Sequence, residues 1–375
     1  MKKKIAYVIN HISFFSTHIL PLAIEAKKKG YEIKIFCGYG GSNETEVAAK
    51  KIIKRHKINF INVGFSPASK NIFSEFKFLI IFLRELKNYE PDIIHSISLK
   101  GILYGSIYFN IFGAKKLICF ITGMGYFFTN NLKFYDLLLK KIILLILKLT
   151  LRSRNSILII ENKTDKKYFI KKIKINKSQI MMFNGVGVDL KKFNYNNTKK
   201  KNIILFPARV LIEKGINEFL SCAKILSKKY PNWKFHIAGT LNYKKNQEIF
   251  IKKSNLQNIK FHGHYFGIHR LFNESSIVCL PSYREGFPKS LIEASASGCA
   301  IVTSNVPGCR DVIKNNFNGY LCLPKNVVSL CDKLDKLIND KKLRESFCKN
   351  SRKLAEKKFD IKIFIKKNIL NYDSK

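Results

Sequence analysis

Acidic residues are scarce in this chain of 375 residues, and arginine is scarcer still. There are 26 Asp and Glu against 68 Lys and Arg, the net charge is +42, and only ten of the basic residues are arginine. The guanidinium of arginine binds phosphate with two hydrogen bonds and is better suited to nucleic acid than the ammonium of lysine. The chain also lacks the aromatic and basic pattern of nucleic-acid-binding motifs, so nucleic acid is not an expected partner. An anionic membrane surface suits the charge better, although abundant Lys, Asn and Ile are also typical of an AT-rich genome.

The chain also lacks a hydrophobic run long enough to span a bilayer. A spanning helix needs about 20 largely apolar residues, whereas Lys140, Lys141 and Lys148 interrupt the richest segment, 137–151. The run Ile5–Ile9 is too short for a signal peptide and predicts a first strand. Segment 137–151, like 76–83, is expected to be an amphipathic helix that packs on a core, lies in a membrane interface, or does both with different faces.

Cysteines with the spacing of metal ligands or redox motifs are absent. The nine cysteines are scattered without a C-x-x-C pair, and most of them stand in apolar segments. They are expected to be small buried side chains in a reducing cytoplasm, not disulfide partners.

Strand-like and helix-like segments alternate along the whole chain, and the pattern starts twice. The first series runs from Ile5 to Glu161, and the second begins at Ile203. The alternation predicts an α/β protein with two parallel, doubly wound sheets, each Rossmann-like. Residues 185–201 are rich in Asn, Lys and Gly and mark the boundary, which predicts domains 1–190 and 191–359. A helix at 360–375 could return to the first domain.

The most informative segment is PSYREGFPKSLIEASASG, residues 281–298. It places Glu285 and Glu293 with seven residues between them, after the apolar strand Ile277–Leu280 and across a turn into a helix. Ser290 is expected to cap this helix, with Glu293 at the third position of a capping box. Ligands bind at such carboxyl ends of parallel strands, and the backbone N–H groups within residues 287–290, which Pro288 lacks, would favour an anion.

This passage resembles the E-x7-E signature of the retaining glycosyltransferases of family 4, and the match continues to Asn318-Gly319. The resemblance implies the GT-B fold, in which two Rossmann-like domains face each other across a cleft. It implies that Glu285 contacts the hydroxyls of the donor sugar and that Glu293 holds the ribose of the nucleotide. The turn and helix start complete the donor site that the resemblance implies: Gly286, Phe287, Pro288, Lys289 and Ser290.

The Arg…Lys-Gly element of the same family is matched by Arg209 and Lys214-Gly215. In the family these cations clamp the donor diphosphate, because preplaced cations stabilise the charge that develops on the leaving group. They can replace a metal, and the chain has no Asp-x-Asp pair of the kind that metal-dependent GT-A transferases use. The resemblance thus implies no metal and no cofactor besides the nucleotide-sugar. The alternative for both residues is ordinary surface charge.

Two further positions match the donor side of the family. Gly239 stands in a turn that resembles the Ala-Gly turn near the phosphates and the base. His262 stands where members bind the base, often through backbone groups, and an ordinary loop histidine is the alternative.

The N-terminal half is more loosely similar to a bacterial subgroup of family 4 that builds capsule, O-antigen or lipid-linked glycans. That subgroup includes transferases that add N-acetylgalactosamine to undecaprenyl-diphosphate-linked bacillosamine. The resemblance rests on segments 8–22 and 122–129. It implies that this domain binds the acceptor, with candidate contacts at Asn10, Ser13, Gly123 and Gly125.

Two family features are missing from this half. No glycine occurs between Asn10 and Phe15, where many members have a glycine-rich loop, and Ile97 stands where the second histidine of His-x-His is expected. His95 fits the first histidine only, as a substrate contact or as a satisfied histidine at a strand end. Lys100 is a candidate for binding an acceptor phosphate.

The resemblance, together with the basic charge and the amphipathic segments, implies a retaining, metal-independent transferase on the cytoplasmic face of the inner membrane. It would move a hexose or N-acetylhexosamine from a nucleotide-sugar, by family frequency a UDP-sugar, to an undecaprenyl-diphosphate-linked glycan. A non-catalytic scaffold that binds donor or glycan is an alternative, which the missing N-terminal features allow. An epimerase acting on UDP-N-acetylglucosamine is disfavoured by the E-x7-E passage. Soluble glucan synthesis is disfavoured by the short chain and its basic amphipathic segments.

Overall fold

The computed structural model describes residues 2–38, 40, 43–64, 72–123, 134–196, 200–241, 258–265 and 267–374. The chain divides into two compact units. The first unit is Met1–Phe183 with Phe364–Lys375, and the second is Asn184–Ile363. The sequence pattern had placed the boundary after residue 190 and the start of the last helix at 360.

The first unit contains seven described strands. They are β1 (Lys4–His11), β2 (Glu32–Gly38), β3 (Asn59–Asn62), β4 (Ile93–Ile97), β5 (Lys116–Ile121), β6 (Ser156–Ile160) and β7 (Ile180–Met182). All are parallel, in the order β3-β2-β1-β4-β5-β6-β7. The described helices between them are α1 (Ile12–Phe14), α2 (Leu20–Lys28), α3 (Asn43–Arg55), α4 (Ile72–Tyr89), α5 (Ser98–Phe112), α6 (Phe134–Thr150) and α7 (Lys163–Ile173). A π-helical stretch, Phe15–Ile19, joins α1 to α2, and a 3₁₀ turn, Lys177–Gln179, precedes β7.

The second unit contains six described strands, also parallel. They are β8 (Lys201–Phe206), β9 (Lys234–Ile237), β10 (Ile259–Phe261), β11 (Ser275–Leu280), β12 (Ala300–Ser304) and β13 (Gly319–Cys322). Their order is β10-β9-β8-β11-β12-β13. The described helices are α8 (Ile216–Lys229), α9 (Ile268–Glu274), α10 (Lys289–Ala296), α11 (Cys309–Val312), α12 (Val327–Asn339) and α13 (Lys341–Lys358). The last helix, α14 (Ile361–Asp373), carries the chain back into the first unit.

In each sheet the first strand of the series lies in the interior and the strand order reverses beside it. In the second unit β8 lies between β9 and β11, and Ile204 and Leu205 of β8 are in register with Ile277 and Val278 of β11. The carboxyl ends of β8 and β11 therefore lie side by side. Reversals of this kind are where doubly wound sheets bind ligands.

The strands are almost continuously apolar because helices cover both faces of each sheet. In β11 and β12 every residue is buried. The strands predicted at Ile5–Ile9 and Ile277–Leu280 are present with small shifts at their ends, whereas the short edge strand β7 was not predicted. The cysteines are free thiols, and all except Cys331 are buried.

Helix α6 is apolar on two sides. Its Ile143 and Leu147 are buried in the core of the first unit. On the outer side four large apolar residues repeat at helical spacing and are between 45% and 56% exposed: Leu138, Ile142, Leu145 and Leu149, called here the α6 stripe. Among the helices that the structure describes, none is both long enough and apolar enough to cross a membrane.

Candidate active site

The loop that follows β8 is packed tightly against the loop that follows β11. Lys214 ends a 3₁₀ turn, Ile212–Lys214, and Gly215 after it has a left-handed φ of 76°. A Cβ on Gly215 would lie 2.2 Å from the carbonyl oxygen of Pro281. Only glycine combines this φ with so close an approach, so Gly215 brings the two loops together.

The carboxylate of Glu285 accepts two hydrogen bonds at this junction. One comes from Lys214 Nζ at 2.5 Å and the other from Ser282 Oγ at 2.8 Å. The side chains of Lys214 and Glu285 are 22% and 12% exposed. Hydrogen bonds between charged groups in such partly buried places are strong. The fold thus joins two predicted catalytic residues that are 71 positions apart in the chain.

The loop after β12 supports the other side of the Glu285 loop. Gly308 has a φ of 82°, and a Cβ there would lie 2.5 Å from the carbonyl oxygens of both Glu285 and Gly286. The backbone N–H of Glu285 donates to the carbonyl of Pro307 at 3.3 Å. Glycine is therefore required at position 308, because a larger residue would push the Glu285 loop away.

Arg209 lies in the same loop as Lys214 and is exposed. Within the part of the chain that the structure describes, its guanidinium makes no hydrogen bond or ion pair, so it is available to an anion. The neighbouring turn after β9 is held to this loop, since Val210 N–H donates to the carbonyl of Thr240 at 3.0 Å. A Cβ on Gly239 would lie 1.9 Å from the carbonyl oxygen of Ala208. Gly239 thus lies directly against the Arg209 loop.

The predicted capping box at the start of α10 is wrong. The helix begins at Lys289 with Pro288 as its N-cap residue, and no side chain caps it. Ser290 is therefore the second residue of the helix, because proline with its fixed φ sets the start. Glu293 lies one helical turn beyond Lys289, and Lys289 Nζ is 3.7 Å from its Oε1.

The Glu293 side chain is 13% exposed. Burial raises its pKa above the ordinary value, and the positive charges of Lys289 and Lys192 oppose the rise.

The remaining residues of the turn offer backbone more than side chain. Phe287 is 8% exposed, and its ring packs edge-on against Phe359 with 5.8 Å between ring centroids. Gly286 and Pro288 are buried, whereas Lys289 and Ser290 are half-buried. A ligand at this turn would therefore meet backbone N–H groups and the lysine.

His262 follows β10 and is tied to the neighbouring strand. Its backbone N–H donates to the carbonyl of Ile237 at 2.8 Å, and its Nε2 lies 3.2 Å from Nδ1 of His236. Burial lowers the pKa of His262, and burial with nearby positive charge lowers the pKa of His236 to about 4. Both rings are therefore neutral at physiological pH, and the side chain of His262 is engaged with its neighbour.

The two polar candidates near β4 in the first unit are already paired. His95 is 0% exposed, and its Nδ1 lies 2.6 Å from the hydroxyl of Tyr372. Its Nε2 is buried without a hydrogen-bond partner among the described residues, so only one ring nitrogen is satisfied, and the ring has no surface to offer a substrate. Ile97, at the position of the missing histidine, is also fully buried. Lys100 Nζ lies 2.7 Å from Oε1 of Glu75, so an acceptor phosphate would have to compete with a carboxylate.

The other N-terminal candidates lie at the carboxyl ends of β1 and β5. Asn10 is in β1, and its Oδ1 is buried without a hydrogen-bond partner among the described residues. Ser13 Oγ lies 2.8 Å from Nδ1 of His11. Gly123 has a φ of 126° just after β5, and Gly125 lies outside the described residues.

Sequence reasoning missed two residues that form hydrogen bonds around the pair of Lys214 and Glu285. Ser282 stands three residues before Glu285, a spacing at which serine often hydrogen-bonds locally, and that signal could have identified it. Tyr283, whose hydroxyl reaches Glu218, gave no such signal. In the described ranges no group of three or more His, Cys, Asp or Glu side chains is placed to hold a metal ion.

Both units match known families. Residues 188–354 match the family model described as glycosyl transferases group 1, and residues 4–162 match the one described as glycosyl transferase 4-like. Over 323 residues the chain is 28% identical to the N,N'-diacetylbacillosaminyl-diphospho-undecaprenol alpha-1,3-N-acetylgalactosaminyltransferase of Campylobacter jejuni, covering 82% of this chain and 84% of that one. It is 27% identical over 311 residues to the UDP-Gal:alpha-D-GlcNAc-diphosphoundecaprenol alpha-1,3-galactosyltransferase of Escherichia coli, covering 78% and 77% of the two chains.

The fold is shared with solved glycosyltransferase structures. Anabaena HepE in complex with UDP and glucose superposes with a TM-score of 0.79 over 100% of both chains, at 15% sequence identity. At that identity the similarity shows the fold, which is GT-B. Together the two glycosyltransferase family models cover most of the chain, so this chain belongs to the glycosyltransferases, with a group 1 domain in its second unit and a glycosyl transferase 4-like domain in its first.

Proposed function

We propose that this glycosyltransferase moves a hexose or N-acetylhexosamine from a UDP-sugar to a glycan on undecaprenyl diphosphate, with retention and without a metal. The observation that carries the proposal is the contact between Lys214 and Glu285 where β8 and β11 end side by side. Two relatives support the substrates, since both are named for acceptors on diphospho-undecaprenol and one for a UDP-galactose donor. The fold neighbour in complex with UDP supports the same nucleotide.

The cations of the loop after β8 would act on the leaving group. As the bond between the sugar and UDP breaks, negative charge develops on the diphosphate. Lys214, partly buried, and Arg209, exposed and unpaired in the described part of the chain, would stabilise that charge. Such preplaced charges accelerate a reaction because they need no reorganisation when the charge forms.

Glu285 would orient the sugar. Its carboxylate is held by Ser282 and Lys214, so it can accept hydrogen bonds from sugar hydroxyls at a defined place. Glu293, on the helix that follows, would accept hydrogen bonds from the ribose. The start of α10, where Pro288 leaves the first N–H groups uncapped by any side chain, would face the diphosphate.

The anomeric configuration of the sugar is retained if the acceptor hydroxyl attacks from the same side on which the leaving group departs. The new bond then forms between the acceptor oxygen and the anomeric carbon while the bond to UDP breaks. The proton of the acceptor hydroxyl passes to an oxygen of the departing diphosphate. No base from the protein is needed for this route, which agrees with the burial of His95.

We place the enzyme at the cytoplasmic face of the inner membrane, held by the first unit. The α6 stripe is an exposed apolar surface on this unit, and Lys141 and Lys148 on the same helix are exposed beside it. Helix α4 adds Phe73 and Phe76, which are 89% and 64% exposed. Apolar side chains bordered by lysine suit a bilayer that contains anionic lipid.

One observation favours a second candidate, a scaffold that binds donor without transferring it. The predicted polar contacts of the first unit, His95 and Lys100, are both engaged within the unit. A protein that keeps the donor site and has lost acceptor chemistry would show this arrangement.

The test is release of UDP from a panel of UDP-sugars by the full-length protein, with and without extracted polyprenyl-diphosphate-linked glycans. Glu285→Ala and Arg209→Ala should each lower kcat by about a hundredfold or more, as expected for loss of a group that stabilises the transition state. Arg270→Ala is the matched control, because Arg270 is an exposed arginine of the same unit. Release should continue in excess EDTA, and the product should keep the anomeric configuration of the donor.

The possible outcomes separate the candidates. Release that requires acceptor and collapses in both variants, but not in Arg270→Ala, supports the transferase and identifies its donor. UDP binding without release, whatever the acceptor, points to the scaffold. Absence of UDP binding contradicts the proposed nucleotide.

A further inference from the structure

One tyrosine of the donor loop is tied at two points to the segment that carries Lys214. The backbone N–H of Tyr283 donates to the carbonyl of Glu213 at 2.9 Å. Its hydroxyl donates to Oε1 of Glu218 at 2.8 Å. Tyr283 stands two residues before Glu285, whereas Glu213 directly precedes Lys214 and Glu218 lies in the first turn of α8. The two hydrogen bonds therefore connect the segment that contains Lys214 to the loop that contains Glu285.

The acceptor of the tyrosine hydrogen bond is a buried carboxylate. Glu218 is 8% exposed, and its second oxygen, Oε2, is buried without a hydrogen-bond partner among the described residues. A buried carboxylate is costly unless hydrogen bonds satisfy it, so the bond from Tyr283 helps to stabilise Glu218 in this position. Burial and Glu218 together raise the pKa of Tyr283 to about 12, so the hydroxyl keeps its proton and stays a donor at neutral pH.

The surroundings of Tyr283 restrict the movement of its loop in several directions. The carbonyl of Pro281 lies against Gly215, where a Cβ would be 2.2 Å from it. Lys325 Nζ lies 4.9 Å from the centroid of the Tyr283 ring. The loop that ends in Glu285 is thus held against the Lys214 segment through Pro281, the Tyr283 backbone and the Tyr283 hydroxyl.

We propose that Tyr283 and Glu218 are positioning residues of the donor site. Their hydrogen bond keeps loop 281–286 in register with segment 212–218, so that Lys214 and Glu285 meet the diphosphate and the sugar in one geometry. The inference rests on the proposed function, because it assigns these roles to Lys214 and Glu285. Neither Tyr283 nor Glu218 needs to touch the substrate.

Tyr283→Phe tests the proposal, with Tyr230→Phe as its matched control. The Tyr230 hydroxyl also donates to a carboxylate, Oδ1 of Asp335 at 2.8 Å, but at the far end of α8. A hydrogen bond to a charged group contributes roughly 1.5–3 kcal/mol, which corresponds to about a tenfold to hundredfold effect. Tyr283→Phe should lose that factor in kcat/KM for the donor and leave the KM for the acceptor unchanged. Tyr230→Phe should transfer sugar at the rate of the unsubstituted protein.

Variants of the carboxylate separate positioning from general stability. Glu218→Gln keeps an oxygen that can accept from Tyr283 and should stay within about threefold of the unsubstituted enzyme, as hydrogen bonds to neutral partners are weaker but still formed. Glu218→Ala should resemble Tyr283→Phe. The double variant should be no worse than either single one, because both changes remove the same interaction.

Several outcomes would overturn the proposal. Equal activities of Tyr283→Phe and Tyr230→Phe would do so, as would losses that follow the melting temperature alone, or additive losses in the double variant. If the unsubstituted protein binds UDP but transfers nothing, the proposed function is wrong. The positioning role of Tyr283 is then tested by UDP affinity instead of by transfer. That affinity should then be weaker in Tyr283→Phe than in Tyr230→Phe. A protein that binds no UDP contradicts both.

Discussion

At the scale of single residues, surroundings decide whether a polar side chain is available for chemistry. The ring of His95 is fully buried beside Tyr7, Phe120 and Tyr372, and burial lowers its pKa to about 3. Lys214 and Glu285, in contrast, keep some exposure at a sheet edge. An enclosed, neutral histidine offers no surface to a ligand, whereas an ion pair that is 22% and 12% exposed can be reached by one.

His95 should make the stability of the first unit depend on pH. An unfolded histidine has a pKa near 6.5, so between that pH and about 3 the unfolded chain binds a proton that the folded chain does not. Stability from this residue is complete above pH 6.5 and is lost as the pH falls, by about 1.4 kcal/mol per pH unit well below that value. Urea denaturation at several pH values measures the slope.

His95→Gln should remove that part of the slope. His56→Gln should keep it, because His56 is exposed in the same unit. Equal slopes for the unsubstituted protein and His95→Gln would show that the folded histidine is protonated as easily as the unfolded one.

At the scale of elements, α6 shows how one helix can serve two apolar environments. Ile143 and Leu147 face the core, while the α6 stripe repeats at intervals of three and four residues on the outer side. A helix that only covered a sheet would carry polar residues at those outer positions. The exposed lysines on α6 would meet anionic headgroups if the stripe lies in the interface.

We expect charged residues in the α6 stripe to weaken membrane binding. Burying a leucine-sized side chain contributes about 2 kcal/mol, so Ile142→Glu with Leu145→Glu should lower binding to anionic vesicles by tenfold or more. Vesicle flotation with phosphatidylglycerol-containing and purely zwitterionic lipid measures the effect. Ile225→Glu is the control, since Ile225 is 54% exposed on a helix of the other unit. Equal flotation of all three proteins would contradict a membrane role for the stripe.

At the scale of the whole molecule, the chain crosses into the second unit near Asn184 and returns near Phe364. The returning helix, α14, completes the core of the first unit. Phe364 is 3% exposed, and its ring lies 5.5 Å from that of Phe183 and 5.9 Å from that of Phe120. The hydroxyl of Tyr372 lies within 3.0 Å of that of Tyr7.

Phe364→Ala should therefore destabilise the first unit and leave donor binding by the second unchanged. Removing a buried phenylalanine costs about 3–5 kcal/mol, and denaturant unfolding followed alongside UDP affinity would separate the two effects. Leu370→Ala, at a position 59% exposed on the same helix, should change stability little. Loss of UDP affinity in step with stability would mean that the two units do not unfold independently.

Much of the fold was predictable because its signals are local. Apolar runs such as Ile203–Phe206 and Ile277–Leu280 mark buried parallel strands without knowledge of their neighbours. The start of α10 was misplaced because Pro288 and Ser290 are both plausible helix starters, and only backbone geometry chooses between them. The pairing of Lys100 with Glu75 joins separate helices, so no local pattern could reveal it.

The sequence by itself determined the alternation of strands and helices, the two series of strands, and the motif that carries Glu285 and Glu293. These features depend on residue type and spacing within a short window. Only the tertiary structure decided that Lys214 contacts Glu285, that Tyr283 is bound by Glu218, and that His95 is enclosed beside Tyr372. Those contacts join residues far apart in the chain, and strand order and close backbone packing bring them together.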